Sequence, residues 1–192
     1  MRYRSHMKII QGHIKYAVTT LLFLVGFSTI LRADDSRLET LFEMLADPGL
    51  QNWQQVEEEI WGIWSRSGSD TADLLLERGR QALASDDNDA AIDHFSALID
   101  HAPNFAEGYN ARATAYYQAE LFGPSLRDVE ATLALNPRHF GAITGLALIL
   151  EQLGDTSRAL AAYRMVNAIH PHRPDVKDAI ERLEASSGES AL

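Results

Sequence analysis

The 192-residue chain contains no cysteine. Disulfides, thiolate metal sites, thiol redox chemistry and a lipid anchor on an N-terminal cysteine are therefore excluded. Basic residues are scarce: 17 Lys and Arg stand against 27 Asp and Glu, a formal net charge of −10. That balance argues against a nucleic-acid binder, which needs a basic surface, and equally against adhesion to anionic lipid. There is no glycine-rich phosphate loop and no serine in a nucleophile setting, so no residue pattern supports an enzyme or a cofactor. Long apolar runs are missing too, with one exception. Tyr16–Leu31 is a run of 16 residues without a charge.

That run lies in a segment with its own deficit. Residues 1–33 hold no acid but five basic residues, Arg2, Arg4, Lys8, Lys15 and Arg32. A positive start, an apolar stretch and the small residue Ala33 before Asp34-Asp35 follow the order of a secretory signal. Cleavage near Ala33 would send the chain to the periplasm or outside the cell, with Met1 or Met7 as the start. The alternative is an uncleaved single-pass anchor in the inner membrane, and only then would the protein meet a membrane. Sixteen residues make about 24 Å of helix, short of the roughly 30 Å hydrocarbon core, which favours cleavage. From Asp34 on, 12 bases face all 27 acids, a formal charge of −15 over 159 residues. This length suits one domain. The excess of acid either selects neutral or basic partners or simply keeps a surface solvated.

Prolines are few, but three of the six are evenly spaced: Pro103, Pro137 and Pro171 lie 34 residues apart. Counting back from each gives units starting at Ala72, Ala106 and Phe140. Position 8 of each unit is small: Gly79, Ala113, Ala147. Position 20 is small as well: Ala91, Ser125, Ala159. Position 24 carries Phe95, Val129 and Tyr163, and position 11 carries Tyr116 and Leu150 in the second and third units. This pattern resembles the tetratricopeptide repeat over residues 72–173. Three departures stand out. Leu75, Tyr109 and Ile143 occupy position 4, where tryptophan is usual. Val129 replaces an aromatic, and Pro124 stands at position 19.

The resemblance implies an all-α fold, a right-handed α-solenoid of three helix pairs spanning 72–105, 106–139 and 140–173. Small residues at positions 8 and 20 let the paired helices cross closely, and the large ones fill the space between units. In the second unit the helices are expected at about Ala106–Glu120 and Pro124–Leu135. Pro124 falls in a first turn, where its missing N–H costs little. Asn136-Pro137 ends the second helix, because proline drives the residue before it out of the α region. Ser85–Asp89 and Gly154–Ser157 supply turn residues and N-cap oxygens. Residues 174–192 supply a capping helix, Pro174–Ala185, with Val176, Ile180 and Leu183 on one face, and a short tail. Arg112 and Asp128, on facing helices, are expected to form an ion pair.

Residues 34–71 fit the period less well. Leu38, Leu41, Phe42 and Leu45 have helical spacing, Asp47-Pro48-Gly49 is a turn, and Trp53, Val56, Ile60, Ile63 and Trp64 follow on one side of a second helix. This hairpin is expected to be a divergent repeat or an N-terminal cap. All three tryptophans lie in it. They either wedge the hairpin onto the first repeat or form a docking surface; packing is the favoured reading. His101, His139, His170 and His172 fall near the loops between repeats, but their spacing matches no metal-ligand motif.

By resemblance, the first helices of the pairs line a concave groove that receives a peptide or a partner helix. Carrying those positions over gives Asp73, Glu77 and Arg80 from the first repeat. The second gives Asn110, Thr114, Tyr117 and Gln118, and the third Thr144, Leu148, Glu151 and Gln152. One subclass of the family clamps acidic C-termini of cytosolic chaperones with basic groove residues. Here Leu76, Ala111, Gly141 and Gly145 stand at clamp positions, with only Arg80 kept, so such tails are not expected to bind. The resulting expectation is a non-catalytic binding protein of the cell envelope, of the exported bacterial type. The alternative is a membrane-tethered subunit of an inner-membrane assembly complex.

Overall fold

The structure is a computed structural model that describes residues 36–189. The expected signal or anchor segment, with Tyr16–Leu31 and Ala33, lies outside the described residues. The chain divides into two compact units at Thr40/Leu41. Of the first, the described part is helical, and Thr40 Oγ1 donates to the Ser36 carbonyl at 3.1 Å.

Every regular element among the described residues is a helix. After α1 (36–45) come α2 (Trp53–Trp64), α3 (Asp70–Ala84), α4 (Asn88–His101), α5 (Ala106–Gln118), α6 (Phe122–Leu135), α7 (Phe140–Gln152), α8 (Thr156–Ile169) and α9 (Pro174–Glu189). Each of α3, α5 and α7 packs on the helix that follows it, and each of α4, α6 and α8 packs on the next pair or on α9. The expected pairs are thus present. Helix α6 starts two residues earlier than expected, with Pro124 still inside its first turn. Helix α9 runs past Ala185 and buries Val176, Ala179 and Leu183.

Each turn within a pair is built alike. Asp86 (φ 56°), Glu120 (φ 60°) and Gly154 (φ 76°) occupy position 15 of their repeats in the left-handed conformation. The following N–H reaches back to close the helix: Asp87 to Ala82 at 3.0 Å, Leu121 to Tyr116 at 2.8 Å and Asp155 to Leu150 at 2.9 Å. These bonds satisfy carbonyls the helix end leaves open. Asp87 and Asp155 then cap the next helix, accepting from the N–H of Ala90 and of Arg158, both at 3.0 Å. Between pairs, Ala102, Asn136 and His170 precede the periodic prolines and adopt φ near −135° with positive ψ. The helices stop there because the next residue is proline.

The small residues act where the register puts them. A Cβ on Gly79 would lie 2.2 Å from Phe95 Cε1, so the glycine lets α3 and α4 approach around a fully buried ring. Phe95 is the centre of a cluster with Leu76, Leu98 and Ala111. Val129 belongs to the next cluster, with Ala113, Ala142 and Ile149. Ser125 meets the close-crossing requirement with an extra bond, its hydroxyl donating to the Ala113 carbonyl at 2.7 Å. Arg112 grips Asp128 with two parallel bonds of 2.7 and 2.9 Å and also donates to Ser96 Oγ at 3.0 Å. The carboxylate's hydrogen bonds, foremost, raise the Arg112 pKa further against the effect of burial.

Candidate functional site

Helices α5 and α7 lie side by side and form the walls of a cleft of about 230 Å³. Asn110, Thr114 and Tyr117 share one face of α5, at helical intervals of four and three. Gly141, Thr144, Gly145 and Leu148 do the same on α7. Ala113, Ala142 and Val129 form the floor with Ser125, and Arg173 stands at one side. Polar groups around the opening are largely spent within the protein. The Thr114 hydroxyl donates to the Asn110 carbonyl at 3.1 Å, and the Thr144 hydroxyl to the Phe140 carbonyl at 2.8 Å. Arg173 binds both carboxylate oxygens of Asp175 at 3.1 and 2.5 Å. This interaction, first of all, draws the Asp175 pKa below its ordinary value.

Glu107 sits behind the α5 wall and is only 4% exposed. A buried carboxylate is costly unless donors surround it. Three do: Arg80 Nη2 at 2.7 Å, Asn110 Nδ2 at 3.0 Å and His139 Nε2 at 3.1 Å. The Nδ1 of His139 accepts the Ala142 N–H at 3.2 Å and caps α7. The ring proton therefore resides on Nε2, aimed at Glu107. Sequence reasoning did not single out Glu107, which looks like any first-turn acid.

The tryptophan hairpin does not follow either expected course. Its ring contacts are with the loops ahead of α7 and α9, not with the first repeat. Trp53 meets the edge of buried His170 at 5.4 Å and stacks on His172 at 5.9 Å. Trp64 stacks on His139 at 4.3 Å, and Trp61 meets His139 and Phe140 edge-on, each at 5.4 Å. Just past α2, Ser65 Oγ accepts from Arg80 at 2.9 Å. Helix α2 therefore crosses the third, second and first repeats in that order, against the direction of the chain. Glu57, on α2, faces His170 Nε2 at 3.4 Å. The nearness of this ring, foremost, lowers the Glu57 pKa against burial's opposing push. Trp61 packs directly on Gly141 at the start of α7: a Cβ there would lie 2.6 Å from its Cη2.

Of the groove residues expected from the register, the cleft gathers Asn110, Thr114, Tyr117, Thr144 and Leu148. The others are placed elsewhere. Asp73 accepts from the N–H and hydroxyl of Ser67 at 2.9 and 2.5 Å. Glu77 accepts from Gln81 at 2.8 Å, and Arg80 belongs to the Glu107 network. Glu151 accepts from Tyr163 at 2.7 Å and from Arg182 at 2.8 and 3.1 Å. Arg182 is the main cause of its lowered pKa. Gln118 and Gln152 are not among the lining residues. Arg173 was missed, although its place before Pro174 fixes it at the start of α9. Among the described residues no three His, Asp or Glu side chains converge as a metal-ligand set. No helix there is long and apolar enough to cross a membrane.

No family model matches the chain. It is 33% identical over 150 residues to a TPR repeat-containing protein of Rhizobium etli, covering 77% of this chain and 72% of that one. It is 26% identical over 121 residues to the small glutamine-rich tetratricopeptide repeat-containing protein 2 of Saccharomyces cerevisiae, covering 60% of this chain and 35% of the relative. Among solved structures it is similar to the first TPR domain of Spaghetti (RPAP3), determined with the HSP90 peptide SRMEEVD bound. The TM-score is 0.60 at 22% identity, over 62% of this chain and 98% of that domain. With the repeat register, the helix pairs and the Rhizobium relative in agreement, the chain belongs to the tetratricopeptide-repeat family.

Proposed function

We propose that this protein is a non-catalytic interaction scaffold that holds a segment of another protein, as a peptide or a helix, in the cleft between α5 and α7. The observation that carries this reading is the cleft itself: an apolar floor of Ala113, Ala142 and Val129 under a rim of Asn110, Thr114 and Tyr117. A few polar groups around an apolar recess are what a binding site requires. The peptide bound to the first TPR domain of RPAP3 supports the reading by likeness of fold. The acid-free residues 1–33, with five bases around the uncharged run Tyr16–Leu31, support a workplace in the cell envelope, after export to the periplasm. The same uncharged run supports a second reading, a subunit tethered to the inner membrane by a retained Tyr16–Leu31.

A pull-down from the native host tests both. Wild type, Gly145→Leu, Leu148→Asp and the distant control Met165→Ser are compared, and the intact mass of the recovered protein is recorded. One partner retained by wild type and Met165→Ser but lost by both cleft variants is the expected result. A partner retained by all four overturns the cleft as the binding site. A recovered mass beginning at Asp34 supports export, and a membrane-bound species that keeps Tyr16–Leu31 supports the tether.

A further inference from the structure

The geometry points to a cleft that takes one bulky apolar side chain of a partner segment flanked by basic residues and lacking an acidic terminus. This rests on the proposed binding role and deepens it. Three independent features meet here. The first is size: about 230 Å³ is below the roughly 300–1,000 Å³ of sites that enclose whole small molecules, and it suits a single side chain. Gly145 leaves one wall of the recess bare; a Cβ there would meet only Val129 Cγ2, at an ordinary 3.7 Å. Leu148, 37% exposed, offers apolar surface beside it.

The second feature is charge. Among the described residues lining the cleft, the single cation is Arg173, and both oxygens of Asp175 already hold it. Arg80, the one basic residue at a clamp position, is committed to buried Glu107. An acidic terminus would have to share Arg173 with Asp175, which already takes its Nε and Nη2. The chain carries an excess of ten acids over bases, which draws basic segments and repels acidic ones.

The third is closure. Trp61 occupies the space beside Gly141 and blocks the run of the groove past the start of α7. A segment can therefore insert a side chain between α5 and α7 but cannot lie along all three repeats.

The test is fluorescence polarisation with the full chain and labelled, C-terminally amidated peptides Gly-Ser-Lys-Ser-X-Ser-Lys-Ser-Gly, together with the acidic peptide SRMEEVD. With X as Leu, Met or Phe, binding should be at least about tenfold tighter than with X as Ala or Asp, the scale on which apolar recesses discriminate. Gly145→Leu should weaken the X = Leu probe by at least about tenfold. Leu148→Asp, a change at an exposed position, gives a second reading if Gly145→Leu melts early. Tightest binding of SRMEEVD or of X = Asp, lost in Gly145→Leu, would overturn this inference and leave the binding role standing. Equal binding of every X would overturn the inference as well. Binding of apolar probes that both variants leave unchanged, or binding of no probe, would overturn the inference and remove the cleft from the proposed function.

Discussion

The three helix pairs and the hairpin that precedes them are held together in different ways. In the pairs, Phe95 and Arg112 meet partners close in sequence: Phe95 fills the space over Gly79, and Arg112 reaches Asp128. In the hairpin, Trp53 meets His170 and His172, and Trp61 and Trp64 both meet His139, residues far along the chain. The pairs are a repeated local solution. The hairpin is a latch whose anchoring points exist only once the second and third repeats have formed. The two regions should therefore fail differently.

The largest effect is expected from Phe95→Ala. The ring is fully buried, and its loss should cost about 3–5 kcal/mol. Neighbouring repeats share the cluster, so the whole helical melt should shift in circular dichroism. A local loss confined to α3 and α4, with the later pairs melting as before, would break the picture of coupled repeats.

Trp64→Ala should come next, at about 3 kcal/mol for the lost ring, but its effect should be local. Hydrogen exchange should speed up in α2 and at the loop of His139 while α7 and α8 stay protected. Gly141→Ala should do the same from the opposite side, since its Cβ would collide with Trp61. If either change lowers the protection of α8 as much as that of α2, the hairpin is part of the solenoid core and not a latch on it.

This contrast also explains what the sequence showed. The period, the small residues at positions 8 and 20 and the prolines that end each second helix act within one repeat, so register alone located them. The same register named Asn110, Thr114, Tyr117, Thr144 and Leu148, which do line one cleft. It missed Arg173, whose role depends on α9 returning beside α7. It also missed Glu107, because nothing near it in sequence announces that Arg80 and His139 converge on it. The route of α2 was illegible for the same reason: a tryptophan shows that it needs a partner, not which one. Asp86 and Glu120 concealed their left-handed backbone, for which Gly154 alone gave a compositional sign.

That backbone supplies a smaller test inside the repeats. Glu120 has φ 60°, a conformation that costs an L-residue about 1–2 kcal/mol. Glu120→Gly should stabilise the chain by about 1 kcal/mol after the glycine's own entropy is counted. Gly154→Ala should lose a similar amount. The pair of melts measures how much strain two of the three turns carry. If Glu120→Gly destabilises, the side chain supports the turn in a way its conformation does not reveal.

The smallest effect is expected where Glu57 of the latch faces His170. The His170 ring first, and Trp61 and Arg173 after it, hold the Glu57 pKa below its ordinary 4.5. The unfolded chain therefore binds a proton at Glu57 before the folded chain does as pH falls. The contribution to stability is complete above about 4.5 and disappears as pH drops through the lower folded value. Glu57→Gln should accordingly be less stable than wild type at neutral pH and equal to it in strong acid. Glu151 and Asp175, whose pKa values are also lowered, give both proteins the same acid-induced loss, so the difference between the two melts isolates Glu57. A difference that stays constant down to pH 2 would mean that Glu57 holds the latch through packing alone. The pairing with His170 would then contribute nothing to keeping α2 in place.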